Sequence, residues 1–203
     1  LGFLESVWPG DTESPELLRQ WFGYVLSGRT DLQKFMYFKG LSRSGKGTIV
    51  RILEALLGSE NTCGTDFAAF GQGGFGMELL VGRQLVTFGD VRYTGDQRTA
   101  QTAISKILSI TGEDKLHIDR KYKTPWTGTV PTRMMLLSNE MPWFKDSSSA
   151  IVGRMLLLVF KQSFLGREDH TLEVRLRQEL AGIFNWALAG YRGHHAGCQS
   201  SFA

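Results

Sequence analysis

Residues 40–48 read Gly-Leu-Ser-Arg-Ser-Gly-Lys-Gly-Thr, shortly after the apolar run Phe35-Met36-Tyr37-Phe38. This is the layout of a phosphate-binding loop, in which a buried strand leads into the loop and a helix leaves it. Gly40 and Gly45 allow backbone conformations that let successive amides point at one anion. Lys46 supplies a cation for the outer phosphates of a nucleotide. The sequence therefore predicts a strand–loop–helix unit that binds a nucleoside triphosphate.

The residues after this loop have the apolar spacing of a helix, and Gly58 is placed to end it. The apolar positions are Ile49, Val50, Ile52, Leu53, Leu56 and Leu57. The helix N-terminus carries partial positive charge, so the first turn adds to anion binding. The predicted cofactor-binding residues are Gly40, Ser44, Gly45, Lys46, Gly47, Thr48 and Ile49.

One position departs from the usual loop pattern. Loops of this kind place Ser or Thr directly after the lysine to hold magnesium, whereas here Gly47 precedes Thr48. Thr48 still lies on the first predicted helical turn, so we assign it the metal-side hydroxyl. The alternative, a glycine-rich surface turn, leaves Lys46 unexplained.

The composition is that of an ordinary soluble globular protein. The chain has 203 residues, 42% hydrophobic and 21% charged, enough for one domain or one domain with a small helical annex. No apolar stretch is long enough to cross a bilayer, and no signal peptide heads the chain. Cys63 and Cys198 are too few for a disulfide framework, which favours the cytoplasm. Because residue 1 is Leu, we expect a piece of a longer polypeptide.

Apolar strands alternate with helices along the rest of the chain. Helices are predicted at 15–28 and 96–110, a final helix or pair of helices at 171–192, strands at 84–90, 134–137 and 155–160, and an alternating, cation-bearing segment at 115–123. This order predicts a three-layer α/β fold with a mainly parallel sheet. No strand feeds the glycine-rich stretch 70–76, so we interpret it as a mobile connection rather than a second phosphate site.

The chain divides into three predicted segments. They are an N-terminal helical segment at 1–30, a phosphate-loop core at 31–165, and a C-terminal helical segment at 166–203 whose tail is flexible from Gly193.

Asp90 ends a predicted strand downstream of the loop. In a phosphate-loop ATPase an acid at this place holds Mg²⁺ opposite the loop hydroxyl, directly or through water. The alternative is an aspartate that caps a turn. Many ATPases follow this acid with a carboxylate that orients the attacking water, but here Val91 and Arg92 follow. The residues that can substitute are Glu113, Asp114 and Glu140, and the sequence does not choose among them.

Two further polar residues lie at strand ends. Asn139 follows the 134–137 strand, where an amide can bond both a γ-phosphate and water, although asparagine at a strand end is usually a turn residue. Arg154 precedes the last strand, and an arginine can stabilise charge in phosphoryl transfer, often from a neighbouring subunit. Alone, Arg154 is a surface cation.

These motifs occur in a fixed order after the loop. They are Asp90, Ser109-Ile110-Thr111-Gly112-Glu113-Asp114, Ile118-Asp119-Arg120-Lys121-Tyr122-Lys123, Leu137-Ser138-Asn139-Glu140-Met141-Pro142 and Gly153-Arg154. The series resembles the superfamily-3 helicases, most closely the phage/plasmid primase-helicase family. The resemblance runs from about Phe3 to Tyr191.

The resemblance implies an AAA+-like P-loop NTPase fold and an ATP-driven motor that uses Mg²⁺. Such proteins assemble as rings, commonly hexamers, around one DNA strand and unwind duplex at a fork, in some cases with a primase domain in the same chain. The resemblance makes Lys46, Asp90, Asn139 and Arg154 the catalytic residues, with Thr48 and Asp90 on the metal. Asn139 is then the polar sensor, and Arg154 is the finger that reaches a neighbour's nucleotide.

The segment 112–123 resembles the family's β-hairpin that projects into the ring channel. Its cations Arg120, Lys121 and Lys123 can grip successive phosphates, and Tyr122 or Trp126 can stack on a base. Residues of the opposite charge are interleaved, so without the resemblance a solvated hairpin is as good an interpretation.

Two other classes of protein stay open. Gly-Lys-Gly-Thr also resembles the loop of adenylate kinases, which makes a nucleotide or small-molecule kinase one alternative. The other is a ring module that has lost hydrolysis and only holds DNA, which the lack of a second acid after Asp90 supports.

Overall fold

The computed structural model describes residues 2–72, 74–91, 97–140 and 150–195. Its strands are β1 (Phe35–Gly40), β2 (Thr62–Thr65), β3 (Leu85–Phe88), β4 (Lys115–Arg120), β5 (Lys123–Thr129), β6 (Arg133–Ser138) and β7 (Met155–Phe160). Its helices are α1 (Gly2–Val7), α2 (Glu13–Leu26), α3 (Lys46–Leu57), α4 (Phe67–Gly71), α5 (Gln97–Thr111), α6 (Ala150–Arg154), α7 (Leu172–Gln178) and α8 (Leu180–His195). Two 3₁₀ segments cover Ser59–Asn61 and Gly74–Leu80.

Five strands form one sheet in the order β2-β3-β6-β1-β7, and every neighbouring pair in it is parallel. Parallel strands end together, so the residues after Gly40, Phe88 and Ser138 meet at one side of the sheet, which we call the carboxyl edge. The strands begin at the opposite edge. β4 and β5 form a separate antiparallel hairpin between α5 and β6. The predicted parallel α/β sheet is confirmed.

The sheet is buried on both faces, as an apolar parallel sheet requires. In β1, Met36 and Phe38 pack on the side of α2, α3 and α8, while Phe35 and Tyr37 pack on the side of α4 and α5. All four side chains are fully buried. The period-2 alternation of a strand therefore divides the core into two clusters and produces the predicted three layers.

Most predicted elements lie within two residues of the observed ones. The helix predicted at 15–28 begins earlier, at Glu13, because Asp11 Oδ1 accepts hydrogen bonds from the amides of Glu13 (2.9 Å) and Ser14 (3.0 Å). The 171–192 helical region is two helices, α7 and α8. The predicted start of the flexible tail at Gly193 was wrong, because α8 continues to His195. Residues 196–203 lie outside the described part of the chain.

Interpreting 70–76 as a mobile connection was also wrong for Phe70 and Gly71, which end α4. Phe70 is fully buried, and a Cβ at Gly71 would lie 2.3 Å from the carbonyl oxygen of Thr99 in α5. Lys106 Nζ donates to the Phe70 carbonyl at 2.6 Å, so α5 holds this segment from a second position. Residue 73 lies outside the described residues.

A buried arginine joins α2 to the start of β6. Arg133 is 2% exposed and donates to the carbonyl oxygens of Val25 (2.9 Å) and Gly28 (3.0 Å) at the carboxyl end of α2. Burial lowers the pKa of its guanidinium to about 10. The positive charge lies at the carboxyl end of α2, where the helix dipole is negative, and its hydrogen bonds fix α2 on the sheet.

Within the described ranges, none of the helices is both long and apolar enough to cross a lipid bilayer.

Candidate nucleotide-binding site

The loop between β1 and α3 turns through two left-handed residues. Arg43 has φ +56° and Gly45 has φ +91°, and Gly45 is the residue that caps the N-terminus of α3. A Cβ at Gly45 would also lie 3.1 Å from the ring of Phe3 in α1. Backbone conformation and packing therefore both require glycine at this position.

Gly40 is required for a different reason from the one that the sequence indicated. It is not among the residues with positive φ, but a Cβ at Gly40 would lie 2.4 Å from the carbonyl oxygen of Phe160 in β7. The glycine therefore permits the close approach of two strands, and its conformational freedom is not what the loop uses.

The Lys46 ammonium is the centre of the loop's hydrogen bonding. It donates to the carbonyl oxygens of Gly40 and Leu41 (both 2.7 Å), to Ser44 Oγ (3.2 Å) and to Asn139 Oδ1 (3.2 Å). Lys46 is 9% exposed, and this burial lowers the pKa of its ammonium, an effect that the negative charge of Asp90 partly opposes. A buried cation held by neutral oxygens is prepared to exchange them for phosphate oxygens.

Asn139 lies directly after β6 and faces the loop. Besides accepting from Lys46, its Nδ2 donates to Ser42 Oγ at 3.5 Å. Two hydrogen bonds of the preceding residues fix the position of Asn139. The buried Ser138 hydroxyl donates to the Val91 carbonyl at 2.7 Å, and the Val91 amide donates to the Leu137 carbonyl at 2.7 Å. The end of β6 and the segment after β3 are therefore fixed together at the carboxyl edge.

Asp90 is exposed, has φ +45° and lies two residues beyond the end of β3. It lines a cavity of about 380 Å³ together with the loop and the end of β6. The lining residues are Ser42, Arg43, Ser44, Gly45, Lys46, Gly47, Thr48, Arg51, Asp90, Leu137, Ser138 and Asn139. The structure thus brings the predicted Lys46, Thr48, Asp90 and Asn139 to one cavity.

Two predicted cofactor-binding residues are not part of this cavity wall. Gly40 lies behind it against β7. Ile49 is 3% exposed in the core, and its amide donates to the Gly45 carbonyl at 3.1 Å. Ser44 does line the cavity, and its side chain is buried against Lys46.

The donors present fit a magnesium ion bound together with a nucleotide. Thr48 and Asp90 supply one hydroxyl and one carboxylate to the same cavity. Mg²⁺ usually takes only one or two carboxylates from the protein and completes its shell with water and phosphate oxygens. The described residues contain no cluster of three or more His, Cys, Asp or Glu side chains suited to a metal.

The three carboxylates that can substitute for the missing second acid lie in different places. The turn after α5 carries Glu113 and Asp114, and Glu113 accepts a hydrogen bond from the Thr30 hydroxyl ahead of β1. That is the opposite edge of the sheet. Glu140 follows Asn139 at the carboxyl edge, with its amide donating to Ser138 Oγ at 3.1 Å. Among these three, Glu140 alone is at the same edge as the loop.

Arg154 is not near the loop of its own chain. It ends α6 directly before β7, at the opposite edge of the sheet, and its Nη1 donates to the Leu108 carbonyl (2.6 Å) and to Thr111 Oγ1 (2.8 Å) of α5. A neighbouring Cβ at Gly112 would lie 3.2 Å from the same Nη1, so glycine leaves room for the guanidinium.

The predicted cationic segment is a hairpin with an exposed tip. Tyr122, at φ +59°, is 94% exposed, and the Lys121 ammonium lies 5.2 Å from the centre of its ring. Glu78 of the 3₁₀ segment accepts from the Lys121 amide at 3.3 Å and pairs with the Lys123 ammonium at 3.8 Å. Arg120 Nε donates to the Thr124 carbonyl at 2.8 Å, across the hairpin.

Trp126 does not share this exposure. It is half-buried, packs against the core cluster of α5, and covers Gly128, where a Cβ would lie 2.8 Å from its ring. Of the two aromatic residues named from the sequence, Tyr122 is the more exposed, and base stacking by either one stays a prediction.

Five residues of the cavity wall were not among the predicted site residues, namely Ser42, Arg43, Arg51, Leu137 and Ser138. For Arg51 the signal was present, since it follows Thr48 by three positions on a predicted helix and therefore shares its face. Arg92, Met141 and Pro142 lie outside the described residues.

Solved structures share this fold. The apo structure of the NrS-1 C-terminal region superposes with a TM-score of 0.72 at 14% identity, covering 100% of this chain and 45% of that one. A structure of JCV helicase with a bound small molecule gives a TM-score of 0.53 at 16% identity, covering 91% of this chain and 63% of that one. The fold is therefore helicase-like, and the chain spans less than half of the NrS-1 region that it matches.

Among curated proteins, the uncharacterized mitochondrial protein ymf21 of Marchantia polymorpha is 33% identical over 70 residues, which are 34% of this chain and 39% of that protein. A family model described as a family of unknown function, DUF5906, matches residues 38–154. That match runs from the end of β1 to Arg154 and includes the loop, Asp90, the hairpin and Asn139. More than half of the sequence is covered, and the chain belongs to the DUF5906 family.

Proposed function

We propose that this chain is the ATP-driven motor domain of a DNA helicase of superfamily 3, of the phage/plasmid primase-helicase type. One observation carries the proposal: the Lys46 ammonium meets the Asn139 amide oxygen at 3.2 Å in a cavity that Asp90 also lines. A phosphate-loop cation, a strand-end acid and a neutral strand-end amide in one cavity are the groups that nucleotide hydrolysis needs. The helicase-like fold and the order of the motifs support the same function.

The proposed cofactors are ATP and Mg²⁺, and the ion supplies positive charge that stabilises the phosphates when it is bound. Lys46 exchanges loop carbonyls for phosphate oxygens. Thr48 would hold the ion from the loop, and Asp90 would hold it from the segment after β3. Asn139 orients the outer phosphate and the attacking water without adding charge. Glu140 is the carboxylate nearest in sequence to this amide that can accept the water's proton.

We further propose that hydrolysis takes place between the subunits of a ring, as in a hexamer. The support is the distance of Arg154 from its own loop: it precedes β7, and the six residues of that strand span about 20 Å. Arg154 therefore serves as a finger only toward a neighbouring protomer. A phage or plasmid origin of this chain would place the motor in the cytoplasm of a bacterial host.

The hairpin is the proposed contact with single-stranded or forked DNA. Arg120, Lys121 and Lys123 cluster at its tip, where Tyr122 is exposed enough to stack on a base. Movement of this tip along the strand would then convert hydrolysis into unwinding.

The first experiment measures steady-state ATP hydrolysis with and without single-stranded DNA, and unwinding of a forked oligonucleotide. The proposal expects hydrolysis that DNA stimulates. Transfer of phosphate to a nucleotide acceptor would instead identify a kinase. Binding of DNA and ATP without turnover would identify the hydrolysis-deficient ring module, which the Val91 position supports because no acid directly follows Asp90.

The second experiment tests the shared site. Subunits carrying Arg154→Ala and subunits carrying Lys46→Ala are mixed, because an interface that joins the intact loop of the first to the intact arginine of the second is a complete site. Recovery of hydrolysis above that of either variant alone supports catalysis between subunits. A wild-type chain that is fully active as a monomer at low concentration contradicts it.

A further inference from the structure

Arg51 lies over the position where the loop departs from the usual pattern. It is on α3, one turn after Thr48, and its Nη2 donates to Thr48 Oγ1 at 3.4 Å. A Cβ at Gly47 would lie 3.0 Å from Arg51 Nη1. The glycine that replaces the usual Ser or Thr therefore leaves the space that this guanidinium covers.

Glu173 of α7 sets the direction of the guanidinium. Its Oε2 accepts from Arg51 Nε at 2.5 Å, and its Oε1 accepts from Arg177 Nη2 at 3.0 Å. While Nε donates to Glu173, both terminal nitrogens of Arg51 lie beside the loop, Nη2 at Thr48 and Nη1 at Gly47. The Thr48 contact is long for a hydrogen bond, so a better acceptor can replace it.

Arg51 lines two neighbouring cavities. One is the cavity of about 380 Å³ that contains Lys46 and Asp90, and the other is a cavity of about 700 Å³ between the loop, α1 and α7. Phe3, Arg43 and Glu173 are among the residues that line the second. A ligand with its phosphates on the loop and its other end near α7 would contact the Arg51 guanidinium, because Arg51 lines both cavities.

The segment before α7 is held on the loop without Arg51. Ser163 Oγ donates to the Ser42 carbonyl at 2.9 Å, and the Phe164 amide donates to the Arg43 carbonyl at 2.8 Å. Arg43 also pairs with Glu168 at 3.7 Å. The ion pair between Arg51 and Glu173 is therefore not the only contact that holds α7 and its preceding segment on the loop. Arg51 can contact a ligand while the other contacts remain.

We infer that Arg51 is a phosphate-binding residue of this site, positioned by Glu173, and that it donates through its terminal nitrogens to the phosphate chain of a nucleoside triphosphate. The inference rests on the proposed nucleotide site and adds a residue to it. Arginine suits the role because its planar fork bonds two phosphate oxygens at once. The 49% exposure of its side chain allows the small rotation that such contacts need.

The test is isothermal titration of the whole chain with Mg-ATP and with Mg-ADP, for wild type, Arg51→Gln, Arg51→Lys and Arg177→Gln. Arg51→Gln should weaken ATP binding about tenfold, as the loss of a charge-assisted pair does. Arg51→Lys should fall between, because it keeps the charge and loses the fork. Arg177→Gln is the matched control, since Arg177 pairs with the same Glu173 but lines neither cavity; its affinity should equal that of wild type.

Glu173→Gln gives the readout that a merely structural role would not produce. It should weaken ATP binding in the wild-type background and have no further effect in the Arg51→Gln background, because it acts through Arg51. Equal effects in both backgrounds overturn the positioning role. An affinity of Arg51→Gln within about twofold of wild type overturns the inference and leaves the nucleotide site intact. A wild-type chain that binds no ATP overturns both.

Discussion

The loop at the carboxyl edge and the tip of the hairpin are both cationic, but they are held in opposite ways. Lys46 is 9% exposed and has four oxygen partners, whereas Tyr122 is 94% exposed and contacts the ammonium of its neighbour Lys121. The loop packs against α1 through Gly45 and against β7 through Gly40. The tip is braced from outside the hairpin by Glu78.

This difference implies that ligand binding costs less conformational entropy at the loop than at the hairpin tip. A loop fixed by several elements is arranged for its anion before the anion arrives, so binding orders little. A two-stranded hairpin is only marginally stable by itself, and its long side chains are ordered when they bind. We therefore expect the loop to respond to single substitutions sharply and the tip to respond gradually.

The largest effect should come from Lys46→Ala. It removes the cation that the loop is built around, and we expect turnover and tight ATP binding to fall by about a hundredfold or more. Hydrolysis and calorimetric titration measure the loss. Lys34→Ala is the control, because Lys34 is a half-buried lysine at the opposite edge whose ammonium donates to the Gly153 carbonyl at 2.9 Å. Turnover by Lys46→Ala at the wild-type rate would remove the loop assignment.

Gly40→Ala should have the next largest effect, on folding stability. Its Cβ would lie 2.4 Å from the Phe160 carbonyl oxygen and 2.5 Å from the Phe160 Cβ, so β1 and β7 must separate. We expect the free energy of unfolding to fall by about 2–4 kcal/mol in a denaturant titration. Gly89→Ala, at the same edge with nothing within 4 Å of its Cβ, should change it by about 0.5 kcal/mol or less. Equal midpoints for the two variants would mean that the strands do not approach so closely.

Lys121→Ala should weaken DNA binding without affecting the nucleotide site. We expect basal ATP hydrolysis to persist while affinity for single-stranded DNA falls about tenfold at low salt, with the salt slope reduced by about 0.7 for one lost phosphate contact. Anisotropy of a labelled oligonucleotide measures both. Lys115→Ala is matched in charge and exposure but lies at the base of the hairpin, opposite Thr129, and should bind DNA as wild type does. If both variants bind equally well, the tip is not the contact.

The smallest effect should be the pH dependence of ATP affinity. Burial holds the pKa of Lys46 below its ordinary value of 10.5. Below that lowered pKa the ammonium is charged and affinity is constant; as the pH rises through it, the proton is lost and affinity falls. We expect the decrease in affinity at a lower pH than loss of the proton from a solvated lysine would cause. Lys46→Arg, which stays charged, should have a flat profile where the wild-type affinity falls, and parallel profiles would contradict the role of Lys46 in the titration.

Local sequence alone was enough to predict the central unit of the fold. The strand Met155–Phe160 was predicted with its observed bounds, and the phosphate loop was predicted with its strand and helix, because their apolar residues carry the strand and helix periods directly. The strand-end positions of Asp90 and Asn139 followed from the same pattern. Their meeting in one cavity followed from parallel strands ending at one edge.

Short elements were not predictable in this way. β2 reads Thr-Cys-Gly-Thr and α4 has five residues, so neither has enough apolar residues to show a period. They form because the neighbouring strand β3 and helix α5 supply their hydrogen bonds and buried contacts. Propensity is a weak signal where tertiary contacts decide.

The roles of several single residues were decided only by the tertiary structure. The close approach of Phe160 requires glycine at position 40. The Arg154 guanidinium donates a hydrogen bond to α5, and the Arg51 guanidinium, which also bonds to Glu173, lies over Gly47. These contacts join residues that are distant in the chain, so no local window contains both partners. The sequence by itself determined that a phosphate loop follows a buried strand; which side chains surround that loop depended on how the layers pack, because distances across a fold are set by its core.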